Sequence, residues 1–178
     1  MKIGVLVGSL REESYARKIA LNAIDMFPED FEGQIIEIGN LPLYNADLEA
    51  NPPQEYIDFR NTIQSCDAIL FVTSENNRTI PACLKNAVDV GSKPTPSWTG
   101  LPAGIMSHSV GRMGGYSAHK NLRLALSYFE MPITGQPEVF LGQSPTLFDG
   151  DKLVPDTAAF VQRYIDTFEK LVRKNVQS

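Results

Sequence analysis

A chain of 178 residues with 43% hydrophobic and 21% charged residues has ordinary globular composition, enough for one sizeable core. Its net charge of −5 is spread along the sequence rather than run into blocks, which excludes the basic footprint of a nucleic-acid or membrane-surface binder. Two cysteines, Cys66 and Cys83, lack metal-ligand spacing, and the chain opens on MKIGVLVGS with no secretory pattern, so a cytoplasmic protein with buried packing thiols and no metal is expected.

In chain order, the apolar run at residues 3–7 predicts a first strand. Residues 14–26 follow with Ala16, Ile19, Ala20, Ala23 and Ile24 at helical spacing. Residues 34–38 predict a second strand, and the Pro-rich, polar LPLYNADLEANPPQEY a loop leading to a helix over 56–65. The unbroken AILFV at 68–72 predicts a third, fully buried strand, and residues 82–90 a helix through Leu84, Ala87 and Val88. GSKPTPSWTGLP reads as a second long loop. A strand over 103–106, a helix over 116–129, a strand over 137–141 and a helix over 157–172 complete the series. Five strands alternating with five helices predict one α/β domain over 1–178, a three-layer sandwich of flavodoxin type. Its parallel sheet is expected in order 2-1-3-4-5 with helices on both faces.

In such a sheet the loops after the first, third and fourth strands share one edge, where ligands bind. The first, GSLREES, combines Ser9, Arg11 and Ser14 with a helix N-terminus, a donor set suited to phosphate. It has neither G-x-G-x-x-G nor G-K-[ST], and Ser14 also reads simply as a helix cap. The second, SENNRT, offers backbone amides and the Asn77 amide to a heterocycle, while Thr79 is a plausible cap for a helix with Pro81 early in it. The third, SHSVGRMGG, has glycines that allow close backbone approach. No Ser/His/Asp order suggests a hydrolytic triad.

These three stretches, GSLREES, ENNRTIPACLKNAVD and SVGRMGG, resemble the NADPH-dependent FMN reductase family, the flavodoxin-like group that includes chromate, quinone and azo-dye reductases. The resemblance implies that Ser9, Arg11 and Ser14 hold the FMN phosphate, with Tyr15 and Ala16 beside it. It implies that Ser74, Glu75, Asn76 and Asn77 meet the pyrimidine edge, and that His108, Ser109 and Gly111 add contacts to the ring. Three positions depart from the family: Ser74 stands where proline is usual, Asn76 where tyrosine is usual, and His108 where small hydroxyl residues are common. The implied activity is FMN-dependent transfer from NADPH or NADH, in a ping-pong cycle, to quinone, azo, nitro, chromate or flavin acceptors. The flavin carries the chemistry, so no catalytic side chain is required. Arg112 and Trp98 are candidates for the open face, Trp98 equally for a subunit contact, and a homodimer or homotetramer is implied. The rival readings are a flavodoxin-like electron carrier and a flavin-free nucleoside hydrolase or transferase using Glu75.

Overall fold

A computed structural model describes residues 1–176. Strand β1 (Lys2–Gly8) leads to helix α1 (Tyr15–Asp25), β2 (Glu32–Ile36), α2 (Gln54–Gln64) and β3 (Ala68–Ser74). Then come α3 (Ala82–Val90), β4 (Ala103–His108), α4 (Tyr116–Leu126) and β5 (Val139–Leu141). A small hairpin of β6 (Phe148–Asp149) and β7 (Lys152–Leu153) precedes α5 (Pro155–Val176). The five main strands pair in parallel in the order β2-β1-β3-β4-β5, as the alternation of elements predicts.

The unbroken apolar strands follow from burial on both faces. Along β3, Ile69 and Phe71 point into a core with Tyr56, Phe59 and Leu84, while Leu70 and Val72 point into a second core with Ile19, Ala20 and Phe168. Helices α2, α3 and α4 therefore cover one face, and α1 and α5 the other. Both cores close directly beneath the carboxyl ends of β1, β3 and β4, so the loops leaving those strands stand on a rigid base.

Several boundaries differ from expectation. Strand β2 begins and ends two residues before the expected 34–38, because the Glu32 amide donates to the Met1 carbonyl and Lys2 pairs with Glu32. Strand β4 runs on to His108, and α4 stops at Leu126, giving way to a 3-10 turn over Ser127–Phe129. The first long loop holds a 3-10 turn, Ala46–Ala50, capped by Asn45. Trp98 lies neither on an open face nor on a surface. It is wholly enclosed against Phe59 and Phe71, with its indole N–H donating to the Val88 carbonyl at 3.0 Å. Gly91 makes this possible, since a Cβ there would meet the indole Nε1 at 2.6 Å. Cys66 and Cys83 are free and half-buried rather than fully enclosed, and burial pushes both thiols above their ordinary range.

Candidate functional site

A cavity of about 610 Å³ opens at the carboxyl edge of the sheet, within the size range of small-molecule sites. Three walls, one from each loop, enclose it.

Ser9, Arg11 and Tyr15 form the first wall. Ser14 caps α1, its Oγ accepting from the Arg17 amide at 3.1 Å, and the first turn carries no acidic side chain to offset the positive end of the helix. Ser14 is nearly sealed and lines no part of the cavity; its cap sets the direction in which α1 presents its N-terminus. The Arg11 side chain is exposed and makes no ion pair among the described residues. The Ala16 side chain does not line the cavity. It is fully buried in the core under α1, because the helical spacing that it shares with Ile19 and Ala20 turns it inward.

Ser74, Glu75 and Asn76 build the second wall. The Asn76 amide donates to the Thr79 carbonyl at 2.9 Å and the Thr79 amide to the Asn76 carbonyl at 3.0 Å. Asn77 and Arg78 between them have φ of 49° and 68°, the double left-handed geometry of a two-residue hairpin turn. Asparagine tolerates this backbone, whereas arginine is strained in it; Asn121 Nδ2 donates to the Arg78 carbonyl at 2.9 Å and helps to hold it. Thr79 is consequently not a helix cap. Pro81 occupies that position before α3 and offers no side-chain acceptor. Asn77 faces away from the main cavity, toward a neighbouring one between α3 and α4 that Ile80 and Leu124 line.

Glu75 has a structural commitment that its loop position does not suggest. Its Oε2 accepts from the Ala118 amide at 3.1 Å, in the first turn of α4. The residue at the N-cap of that helix is Gly115, with φ 77° and no side chain, so Glu75 supplies the missing acceptor. Ser74 ties the first two walls together by donating from Oγ to the Gly8 carbonyl at 2.8 Å.

His108 and Ser109 form the third wall. Behind them Ser107 is fully buried and donates to the Gly114 carbonyl at 2.8 Å. Gly114 has φ 62°, and a Cβ there would collide with the Phe140 carbonyl group, so this turn requires glycine. Gly111 donates its amide to Ser109 Oγ at 3.1 Å and shapes the loop without lining the cavity. Arg112 is exposed beyond the rim, its backbone packed against Gly142, and lines no wall. His108 is buried, and burial, reinforced by the Arg11 charge, pushes its pKa down to about 4, so the imidazole is neutral near pH 7.

The structure thus brings together Ser9, Arg11, Tyr15, Ser74, Glu75, Asn76, His108 and Ser109, and leaves Ser14, Ala16, Asn77 and Gly111 outside the lining. Sequence reasoning passed over Leu10 and Val110, exposed apolar residues at the mouth, and Pro81, Ala82 and Cys83 at the entry to α3. The signal for the first two was present: each is a large apolar residue isolated in a polar loop. No signal pointed to Ser144, which holds the His108 ring from a distant 3-10 turn.

A doubly wound sheet with a cavity walled by the loops after its first, third and fourth strands, beside a helix N-terminus with no acidic residue in its first turn, defines a flavodoxin-like protein. Residues 1–146 match the NADPH-dependent FMN reductase family, and the chain belongs to it. It is 45% identical to a quinone reductase of Pseudomonas putida, over 97% of this chain and 95% of that one. It is 34% identical to a 2-hydroxy-1,4-benzoquinone reductase of a Burkholderia species, over 97% of both. Among solved structures, the flavoenzyme NAD(P)H:(acceptor) oxidoreductase FerB of Paracoccus denitrificans superposes with a TM-score of 0.91 at 30% identity, over 98% of each chain. The residues present fit FMN. A cation with no ion pair among the described residues stands in one wall of the cavity, Ser74, Glu75 and Asn76 line another, and His108 Nε2 in the third is buried with no partner among the described residues.

Proposed function

We propose that this chain holds FMN across the three loops and passes electrons from NADPH or NADH to a quinone in a ping-pong cycle. One observation carries the reading: the cavity divides into a cationic, hydrogen-bonding end at Arg11 and a preformed backbone end at residues 74–76. A phosphate requires the first and a flat heterocycle the second. Arg11, Ser9 and the N-terminus of α1 hold the phosphate, and the backbone of Glu75 meets the ring edge together with the side chain of Asn76, whose own backbone groups are paired with Thr79. Bound FMN supplies the hydride acceptance and electron release. The side chains of this chain bind and orient, which agrees with Glu75 being engaged at α4 and His108 being neutral.

Azo, nitro, chromate and flavin acceptors are further candidates for the same open site. A single domain over 1–178, working in the cytoplasm as a homodimer or homotetramer, is part of the proposal. Exposed Leu124 and Tyr128, on α4 and the turn after it, support a subunit contact on that side. Among the described residues no helix is long and apolar enough to cross a membrane, and no three metal-ligating side chains cluster. Steady-state rates measured over a grid of NADPH and benzoquinone concentrations test the proposal. Parallel double-reciprocal lines are expected; intersecting lines contradict the ping-pong order, and absence of turnover by an FMN-loaded chain leaves an electron carrier.

A further inference from the structure

His108 closes β4 in the wall of the cavity and is 6% exposed. Its Nε2 is shut off from solvent and has no hydrogen-bond partner among the described residues, a rare state for a buried nitrogen. The other ring nitrogen fixes the tautomer. Ser144 Oγ lies 2.8 Å from His108 Nδ1 and 2.8 Å from the Ser109 carbonyl oxygen. A carbonyl can only accept, so the single hydroxyl proton of Ser144 goes to Ser109, and Ser144 must accept from Nδ1–H. Neutral His108 is therefore protonated on Nδ1 and keeps a bare lone pair on Nε2. At this position it can accept a hydrogen bond and cannot donate one.

The neighbours place this acceptor between the two ends of the cavity. The Tyr15 ring of the first wall meets the imidazole edge-on with centroids 6.3 Å apart, and Ser74 of the second wall is its register partner on β3. Tyr15 is half-buried and stacks on Phe148 of the surface hairpin at 6.0 Å. The part of a flavin nucleotide that joins phosphate to ring is a polyol, and its hydroxyl groups are donors.

We propose that His108 is a specificity-determining residue that accepts a hydrogen bond from a hydroxyl of the ribityl chain, and so selects flavins that carry one. The donor reaches Nε2 by displacing the edge of the Tyr15 ring. Since Nε2 has already lost its water, a ligand without that hydroxyl leaves the desolvation uncompensated. The proposal rests on the FMN reading above and adds the polarity of the contact and the part of the ligand it reads.

The test is fluorescence titration of the full-length apoprotein with FMN, riboflavin and lumiflavin, which keeps the ring but lacks the ribityl chain. His108→Phe is expected to weaken FMN and riboflavin by the same factor, roughly three- to tenfold, and to leave lumiflavin unchanged. Weakening of FMN alone would assign His108 to the phosphate, and equal weakening of all three would assign it to the ring or to general damage; either overturns the proposal. Should His108→Phe not fold, ¹⁵N NMR of the unaltered protein decides. Nε2 is expected to stay unprotonated and to shift as an acceptor when FMN is added, and a protonated or unshifted Nε2 overturns the proposal. A wild-type chain that takes up none of the three flavins overturns the FMN reading itself, and this inference with it.

Discussion

The loop after β1 and the loop after β3 face each other across one cavity and are held in opposite ways. Residues 9–13 have one weak internal hydrogen bond, from the Arg11 amide to Ser9 Oγ at 3.4 Å, and an exposed guanidinium. Residues 74–79 are fastened at four places: to Gly8, across the Asn76–Thr79 turn, to the first turn of α4, and from Asn121 to Arg78. One wall keeps its hydrogen-bonding capacity free, which suits the phosphate proposed for it. The other spends side chains to present backbone in a fixed shape, which a flat ring requires. Changes in the fastened walls should therefore lower stability, and changes in the open wall should lower ligand affinity alone.

Acid gives the largest expected effect, because His108 is held neutral within the fastened third wall much as His119 is in the core. Burial leads both pKa values down from 6.5 to about 4, with nearby Arg11 for His108 and Arg123 for His119 acting in the same direction. Between those values the unfolded chain binds protons that the folded chain refuses, so stability falls as pH drops through 6.5 toward 4 and is level above 6.5. Each histidine contributes up to about 1.4 kcal/mol per pH unit in that window. Denaturant unfolding across the window should show the slope, and His119→Phe should roughly halve it; a flat profile would mean that neither ring is held neutral. Carboxylates held low, such as Glu138 beside Lys120, act at lower pH.

Gly114→Ala should come next, at more than about 2 kcal/mol of stability, since it combines a left-handed backbone with a collision against Phe140. A shift in melting midpoint is the readout. Arg11→Ala should weaken FMN about tenfold to a hundredfold, leave riboflavin affinity unchanged and leave the melting midpoint in place. Equal loss for both flavins would place Arg11 away from the phosphate and erase the distinction between the walls. Glu75→Ala should cost about 1 kcal/mol by uncapping α4, with Glu75→Gln recovering most of it, as followed by thermal unfolding. The smallest effect is a gain: Asn76→Tyr should tighten FMN by a few-fold through ring contact area, as read by flavin fluorescence quenching, at about 0.5–1 kcal/mol. Unchanged affinity would mean that this position does not control binding.

Much of this was legible in the sequence, for identifiable reasons. Strand β3 declares itself because both its faces are buried, leaving AILFV with no polar interruption. Strand β2 lies at the sheet edge with its Glu32 and Gln34 exposed, so its bounds carry no such signal and only the pairing of Lys2 with Glu32 sets them. At Ala16 helical periodicity put the side chain in the core, and there it lies. The duty of Glu75 could not be read, because its partner is 43 residues away on another helix. Nor could the enclosure of Trp98, which depends on Gly91 clearing space for the indole. The polar loops announced a ligand, while the division of labour within them appears only once the chain has folded.

The central claim is that these walls hold FMN which NADPH or NADH can reduce and a quinone can reoxidise. It is tested most directly by the absorption spectrum of the purified chain with FMN, recorded anaerobically before and after NADPH, then NADH, then benzoquinone. The account predicts a protein-bound flavin spectrum that is lost on adding a nicotinamide donor and returns with the quinone. A chain that takes up no FMN, or that holds it while neither NADPH nor NADH bleaches it, would contradict the account.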